Sequence, residues 1–111
     1  MKKVIIIGSG ISSLTASCYL AKKGFEVKVL EKHDTPGGRI RMFESNGFKF
    51  DMGPSWYWMP DVFERFFNDF NKTTSDFYEL ERLDPSYKVI FPKDKIFDIS
   101  ADYNEILKTF E

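Results

Sequence analysis

The sequence predicts an α/β fold: a parallel βαβ unit first, then hairpins and helices that begin an α+β segment. Three observations carry this. Val4 to Ile7 are four consecutive apolar β-formers, Gly8 and Gly10 follow at once, and Ile11 to Lys23 has the spacing of a helix. After Met42 the pattern changes to short alternating runs separated by turn dipeptides such as Asn46-Gly47.

Val4 to Ile7 read as a short strand buried on both faces, as apolar runs under helical crossovers usually are. Gly8 permits a tight turn, because a residue without Cβ takes positive φ at little cost. Gly10 leaves room for a diphosphate to approach the backbone. The third position of this glycine pattern is Ser13, where Gly or Ala would serve close helix–strand packing. The helix behind the turn offers free N–H groups and a positive dipole end to an anion. Its inner face is expected to hold Leu14, Cys18 and Ala21, with Cys18 a buried, inert thiol. Lys22-Lys23-Gly24 closes it, cations at the negative end and then a glycine cap.

Glu26 to Glu31 alternates and reads as a second strand, parallel to the first through a right-handed crossover. Glu31 lies 23 residues after Gly8, where an acid hydrogen-bonds a ribose hydroxyl. A carboxylate there repels a 2′-phosphate, which disfavours NADP. This is a Rossmann-like arrangement. A second glycine pair, Gly37-Gly38, precedes Arg39 just past the acidic strand end. The glycines let a second loop approach the same diphosphate, and the Arg39 guanidinium can neutralise it with a fork of donors. A plain NAD-binding unit does not need that loop. His33, among charged neighbours, reads as solvent-facing.

Met42 to Phe50 reads as a hairpin around Asn46-Gly47. Asp51-Met52-Gly53-Pro54 is a further constrained turn, and S-W-Y-W-M follows. Trp56 to Met59 suit either a ligand wall or an ordinary core. Pro60-Asp61 opens a helix with Val62, Phe63, Phe66, Phe67 and Phe70 on one face, read as core. Tyr78 to Leu83 reads as a short strand of ambiguous facing, ended by Asp84-Pro85. Tyr87 to Phe91 and Ile96 to Ile99 pair as a hairpin across a Pro92–Lys95 turn. Ser100 is expected to cap a last helix with Tyr103, Ile106, Leu107 and Phe110 on one stripe, and that helix reaches Glu111 without a cap of its own.

Composition excludes some classes. With 42% hydrophobic and 30% charged residues the chain is globular rather than disordered. A net charge of −1 argues against nucleic acid as the main partner. Residues 1–50 hold nine Lys/Arg against four Asp/Glu, whereas residues 51–111 hold seven against thirteen, and a basic first half suits a phosphate ligand or an anionic membrane surface. One cysteine allows no internal disulfide and suits a reducing compartment. Met1-Lys2-Lys3 before an apolar run imitates a signal peptide, but four apolar residues fall short of the roughly seven required. No run approaches the ~18 apolar residues of a membrane span.

Three segments, G-S-G-I-S-S-L-T-A, V-K-V-L-E-K-H-D-T-P-G-G-R and G-F-K-F-D-M-G-P-S, together resemble the amino-terminal part of bacterial-type phytoene desaturases. These are carotenoid-pathway flavoproteins within the wider group that includes amine oxidases. The P-S-Y-K-V-I-F-P-K-D-K hairpin is similar to what those enzymes carry next, so the resemblance covers nearly the whole chain.

The resemblance implies FAD as cofactor, with Gly8, Ser9, Gly10 and Ser13 bordering the pyrophosphate. Glu31 would take the adenosine ribose, Arg39 would meet the phosphates, and Lys32 and Gly38 complete the set. Gly53 and Pro54 would lie near the flavin. Residues 1–57 would be the front of an FAD-binding domain and 58–111 the beginning of a substrate or cap domain. The implied reaction is dehydrogenation of C–C bonds in a lipophilic polyene, by a cytoplasmic enzyme peripheral to the inner face of the plasma membrane. No catalytic residue is assigned. Asp51 is nearest by position, and a carboxylate between two turns is more often a structural acceptor. Two parallel strands do not make a stable doubly wound sheet, so the chain is expected to be the front of a longer enzyme, inactive alone. The alternatives are a carotenoid isomerase or ketolase, a retinol saturase, an amine oxidase, or a non-catalytic nucleotide-binding fragment.

Overall fold

The computed structural model describes residues 1–93 and 95–110, which divide into two compact units, Met1–Trp58 and Met59–Glu111. The first unit is built on strand β1 (Lys3–Ile7), helix α1 (Ile11–Lys22) and strand β2 (Glu26–Leu30). β1 and β2 pair in parallel with Lys3 opposite Glu26 and Ile7 opposite Leu30. Val4, Ile6, Val27 and Val29 are half-buried on one face of this pair. On the other face Ile5, Ile7 and Leu30 are 64, 86 and 44% exposed. The expected burial of both faces is therefore corrected. A two-stranded sheet carrying one helix has one covered face, and a second layer would be needed for the other.

α1 ends as its sequence requires. Gly24, at φ +82°, donates to the Ala21 carbonyl, and Phe25 donates to that of Leu20, the paired bonds of a Schellman cap. Its half-buried positions include Ser13, Ser17 and Leu20, whereas Leu14, Cys18 and Ala21 are exposed. The expected inner face was one residue out of register. Serines carry too little apolar surface to announce a packed face, yet their size suits close approach to a strand.

After β2 comes a 3-10 turn, Gly38–Ile40, and then a hairpin of β3 (Met42–Ser45) and β4 (Phe48–Asp51). Asn46 and Gly47, at φ +52° and +79°, make its two-residue turn. Phe43 and Phe50 sit opposite each other with stacked rings 5.0 Å apart.

The second unit holds α2 (Pro60–Asn68), a 3-10 turn at Thr74–Asp76, strands β5 (Tyr87–Phe91) and β6 (Lys95–Ile99), and α3 (Tyr103–Phe110). Pro60 opens α2 with its fixed φ. The aromatics of α2 pack on one another, Phe66 meeting Phe70 at 5.1 Å and Phe67 stacking on Phe77 at 4.8 Å, but the stripe read as core is only half-buried and Val62 is exposed. β5 and β6 are antiparallel, with Tyr87 opposite Ile99 and Val89 opposite Phe97, and Ile99 is buried. Residue 94, in the expected turn between them, lies outside the described residues, as does Glu111, where the last helix was expected to run on.

Two further expectations are corrected here. Residues 78–83 form no strand. The stretch is held instead by side chains, Arg82 donating to the Ala101 carbonyl at 3.0 Å and Asp84 accepting from Ala101 N–H at 2.9 Å. α3 is capped by Asp102, whose carboxylate accepts from the N–H groups of Asn104 and Glu105, and Ser100 accepts only from Asp102 N–H. Asp is as good a cap as Ser, and the helix simply begins two residues later than that reading required. Among the described residues no helix is long and apolar enough to cross a membrane.

Candidate functional site

The glycine turn is the junction from which the site grows. Gly8 takes φ +91° and donates to the Leu30 carbonyl at 2.6 Å, which ties the end of β1 to the end of β2. An alanine would be strained there. Gly10 has φ −67°, and a Cβ built on it would meet nothing within 4 Å, so its backbone is open on that side. The second glycine pair closes on the first. Gly37 N–H donates to the Ser9 carbonyl at 2.8 Å, Gly10 and Gly37 form a parallel bridge, and a Cβ on Gly38 would stand 3.1 Å from the Gly10 Cα. Gly37 and Gly38 both have positive φ, at +113° and +60°. The close approach of the two backbones, which a side chain at Gly38 would crowd, is thus built into the loop pair.

Glu31 follows β2 and points its carboxylate back at the turn. Oε2 accepts from both the Ser9 N–H and the Ser9 hydroxyl, each at 2.7 Å, and Oε1 accepts from His33 N–H at 3.0 Å. The Ser9 hydroxyl first, and then the N–H groups of His33, Ser9 and Lys32, hold its pKa down to about 2 against an ordinary 4.5. A firmly anionic group therefore stands beside the turn. His33 itself is exposed, as expected.

Two open concavities flank this junction. The first, about 520 Å3, collects Gly8, Ser9, Gly10, Glu31, Lys32, Gly38 and Arg39 over a floor that includes Ile7 and Leu30. The second, about 640 Å3, collects Ser13, Gly53 and Pro54, and it shares Gly10 and Arg39 with the first. All ten predicted cofactor residues thus line one or the other, around a common glycine and a common arginine. Arg39 has no hydrogen-bond or ion-pair partner among the described residues, which leaves its guanidinium available at the shared wall. Gly53 is required by packing, since a Cβ there would overlap the Arg39 carbonyl oxygen.

Arg41 was not foreseen. It lines the first concavity, its Nε donates to the Met52 sulfur at 3.2 Å, and its carbonyl accepts from Met52 N–H at 2.9 Å. The missed signal was the spacing Arg39-x-Arg41 ahead of a hairpin, which returns Met52 beside the arginine. Asp51 lines neither concavity, and among the described residues no cluster of His, Cys, Asp or Glu could hold a metal.

A strand, a glycine turn, a helix and an acid at the end of the next strand make a dinucleotide cradle, and comparison with known proteins agrees. The family described as NAD(P)-binding Rossmann-like domain matches residues 6–73. The chain belongs to this family. The Rossmann-like chain is 50% identical over 108 residues to a carotenoid 3,4-desaturase of Haloarcula japonica, covering 97% of this chain and 22% of that protein. It is 37% identical over 106 residues to a 4,4′-diaponeurosporene oxygenase of Staphylococcus haemolyticus, covering 96% and 21%. Among solved structures it resembles the PF1083 protein from Pyrococcus furiosus, with a TM-score of 0.63 and 26% identity over 97% of this chain and 26% of that one. The Rossmann-like chain spans about a fifth of the length of these curated relatives. The likeness to carotenoid desaturases read from the motifs therefore holds over nearly the whole chain.

Proposed function

We propose that this chain is the FAD-binding front of an oxidoreductase that dehydrogenates C–C bonds of a carotenoid polyene. The observation that carries the reading is 50% identity to a carotenoid 3,4-desaturase across 97% of the chain. The choice of FAD is supported by the second loop. Two concavities in tandem, sharing Gly10 and Arg39, suit an extended dinucleotide whose diphosphate crosses the junction. Glu31, anionic and turned toward the turn, suits a ribose diol and opposes a 2′-phosphate.

In this reading Gly8, Ser9, Gly10 and Ser13 border the diphosphate, with Gly38 and Arg39 on its other side. Glu31 and Lys32 take the adenosine end, and Gly53 and Pro54 the flavin end. When bound, FAD supplies the two-electron acceptor for hydrogen removed across a single bond. The chain's own residues hold and orient it. Arg39 offsets the diphosphate charge, and the glycines admit it to the backbone. Residues 1–57 form the front of the FAD-binding domain, and 58–111 begin a substrate domain. A polyene substrate lives in lipid, which supports a cytoplasmic protein held peripherally at the inner face of the plasma membrane. A net charge of −1 supports no nucleic-acid partner.

The test is to express the protein from its own gene and supply a partly saturated C40 polyene in liposomes. Recovery of a product shorter by two hydrogens at each step supports the reading. An oxygen-containing product would move the chain to the oxygenase branch. Oxidation of amines, with the polyene untouched, would overturn the reading.

A further inference from the structure

Ser9 is 3% exposed, and its polar donors are spent. A serine has one O–H and one N–H to give, and both go to the same Glu31 oxygen at 2.7 Å. Its carbonyl accepts from Gly37 N–H at 2.8 Å. Ser9 therefore offers no donor to a diphosphate, although it sits in the middle of the glycine turn. What it does have is a grip on Glu31. With Oε2 occupied twice, the carboxylate is fixed in rotation, and Oε1, which accepts from the His33 N–H, belongs to a residue that lines the concavity.

We propose that Ser9 is a positioning residue, which sets the Glu31 carboxylate for the ribose diol of the cofactor's adenosine half and contributes to binding only through it. This rests on the dinucleotide reading of the cleft and deepens it. A free glutamate side chain samples several rotamers, and ordering it on binding weakens affinity. The Ser9 hydroxyl moves that cost into the folded protein. Removing it leaves the Ser9 N–H bond in place, so the turn and the loop pairing survive while the carboxylate regains freedom.

The experiment compares the protein from its own gene, stripped of cofactor, with Ser9→Ala, Glu31→Gln and the double variant. ADP and 2′,3′-dideoxy-ADP serve as probes. Ser9→Ala is expected to weaken ADP by roughly tenfold, leave dideoxy-ADP unchanged, and add nothing in the Glu31→Gln background. An equal loss for both nucleotides would overturn the proposal, because Ser9 would then be touching the diphosphate or holding the fold. Unchanged ADP affinity would overturn it as well. Glu31 titration, followed by carbon NMR of labelled glutamate, needs no ligand and should move upward in Ser9→Ala. An unmoved titration overturns the clamp even where ADP binds. A moved titration in a protein that never binds ADP overturns instead the dinucleotide reading on which the proposal rests.

Discussion

Each unit of this molecule contains a glutamate clamped by a hydroxyl residue, and the two clamps are nearly the same object. In the first unit Ser9 gives its N–H and O–H to Glu31 Oε2, both at 2.7 Å. In the second, Thr74 gives its N–H and O–H to Glu64 Oε2, at 3.0 and 2.6 Å. Both carboxyls are held below their ordinary pKa by the hydroxyl first and the backbone second. Their surroundings differ. Glu31 faces a concavity shared with Gly8, Gly10 and Arg39. Glu64 ties α2 to the 3-10 turn beside Phe67 and Phe77, and the nearby Asp76 carboxylate works against its charge. The lesson is that a clamped carboxylate does not by itself mark a site. What separates the two is the open glycine backbone and the unpaired Arg39 beside Glu31.

Substitutions can break or sharpen that contrast. The largest effect is expected at Gly10. Alanine is compatible with φ −67° and meets nothing within 4 Å, so Gly10→Ala should fold as well as the unsubstituted protein. It should nonetheless lose dinucleotide affinity by roughly a hundredfold, because the added methyl fills the space a diphosphate needs. Equal binding by calorimetry would mean that the ligand does not cross this turn. Arg39→Ala comes next, with a loss of roughly tenfold to a hundredfold that steepens at low salt, and Arg39→Lys should recover only part of it. No position in the second unit should behave this way. Thr74→Ala should lower the melting temperature by a few degrees and leave nucleotide affinity where it was. A binding defect there would erase the distinction between the two clamps.

How much of this could be read from the sequence follows from how local each cause is. The βαβ unit, the Gly24 cap, the Asn46-Gly47 hairpin and the placement of Glu31 depend on neighbours or on one fixed spacing, and all were legible. The Ser9–Glu31 clamp was not. Its partners lie 22 residues apart, and nothing local in a serine between two glycines announces so distant a carboxylate. Arg41 was missed because only the returning hairpin brings Met52 against it. The face of α1 was misjudged by one residue because serines, not apolar side chains, take the packed positions. The segment 78–83 alternates as a strand should, but Arg82 and Asp84 fix it through side chains to residues 100 and 101.

The smallest expected effect concerns acid. Both glutamates have folded-state pKa values below the unfolded value of 4.5, so the stability they contribute is complete above that pH. It declines as pH falls, for Glu31 through about 2. Ser9→Ala should flatten the fall in melting temperature between those limits and Thr74→Ala should flatten it below 4.5, and neither should change its behaviour near neutrality beyond a constant offset. A protein whose acid sensitivity is the same with and without both hydroxyls would contradict the assignment of either clamp.

The central claim is that the junction of Gly8, Gly10, Gly38 and Arg39 holds FAD. Its most direct test is the flavin content of the protein expressed from its own gene and purified without added cofactor, beside Gly10→Ala. The account predicts oxidised-flavin absorption, with FAD released by acid at about one per chain, and a folded but colourless variant. A colourless unsubstituted protein that takes up NAD instead would contradict it, and so would flavin retained equally by both.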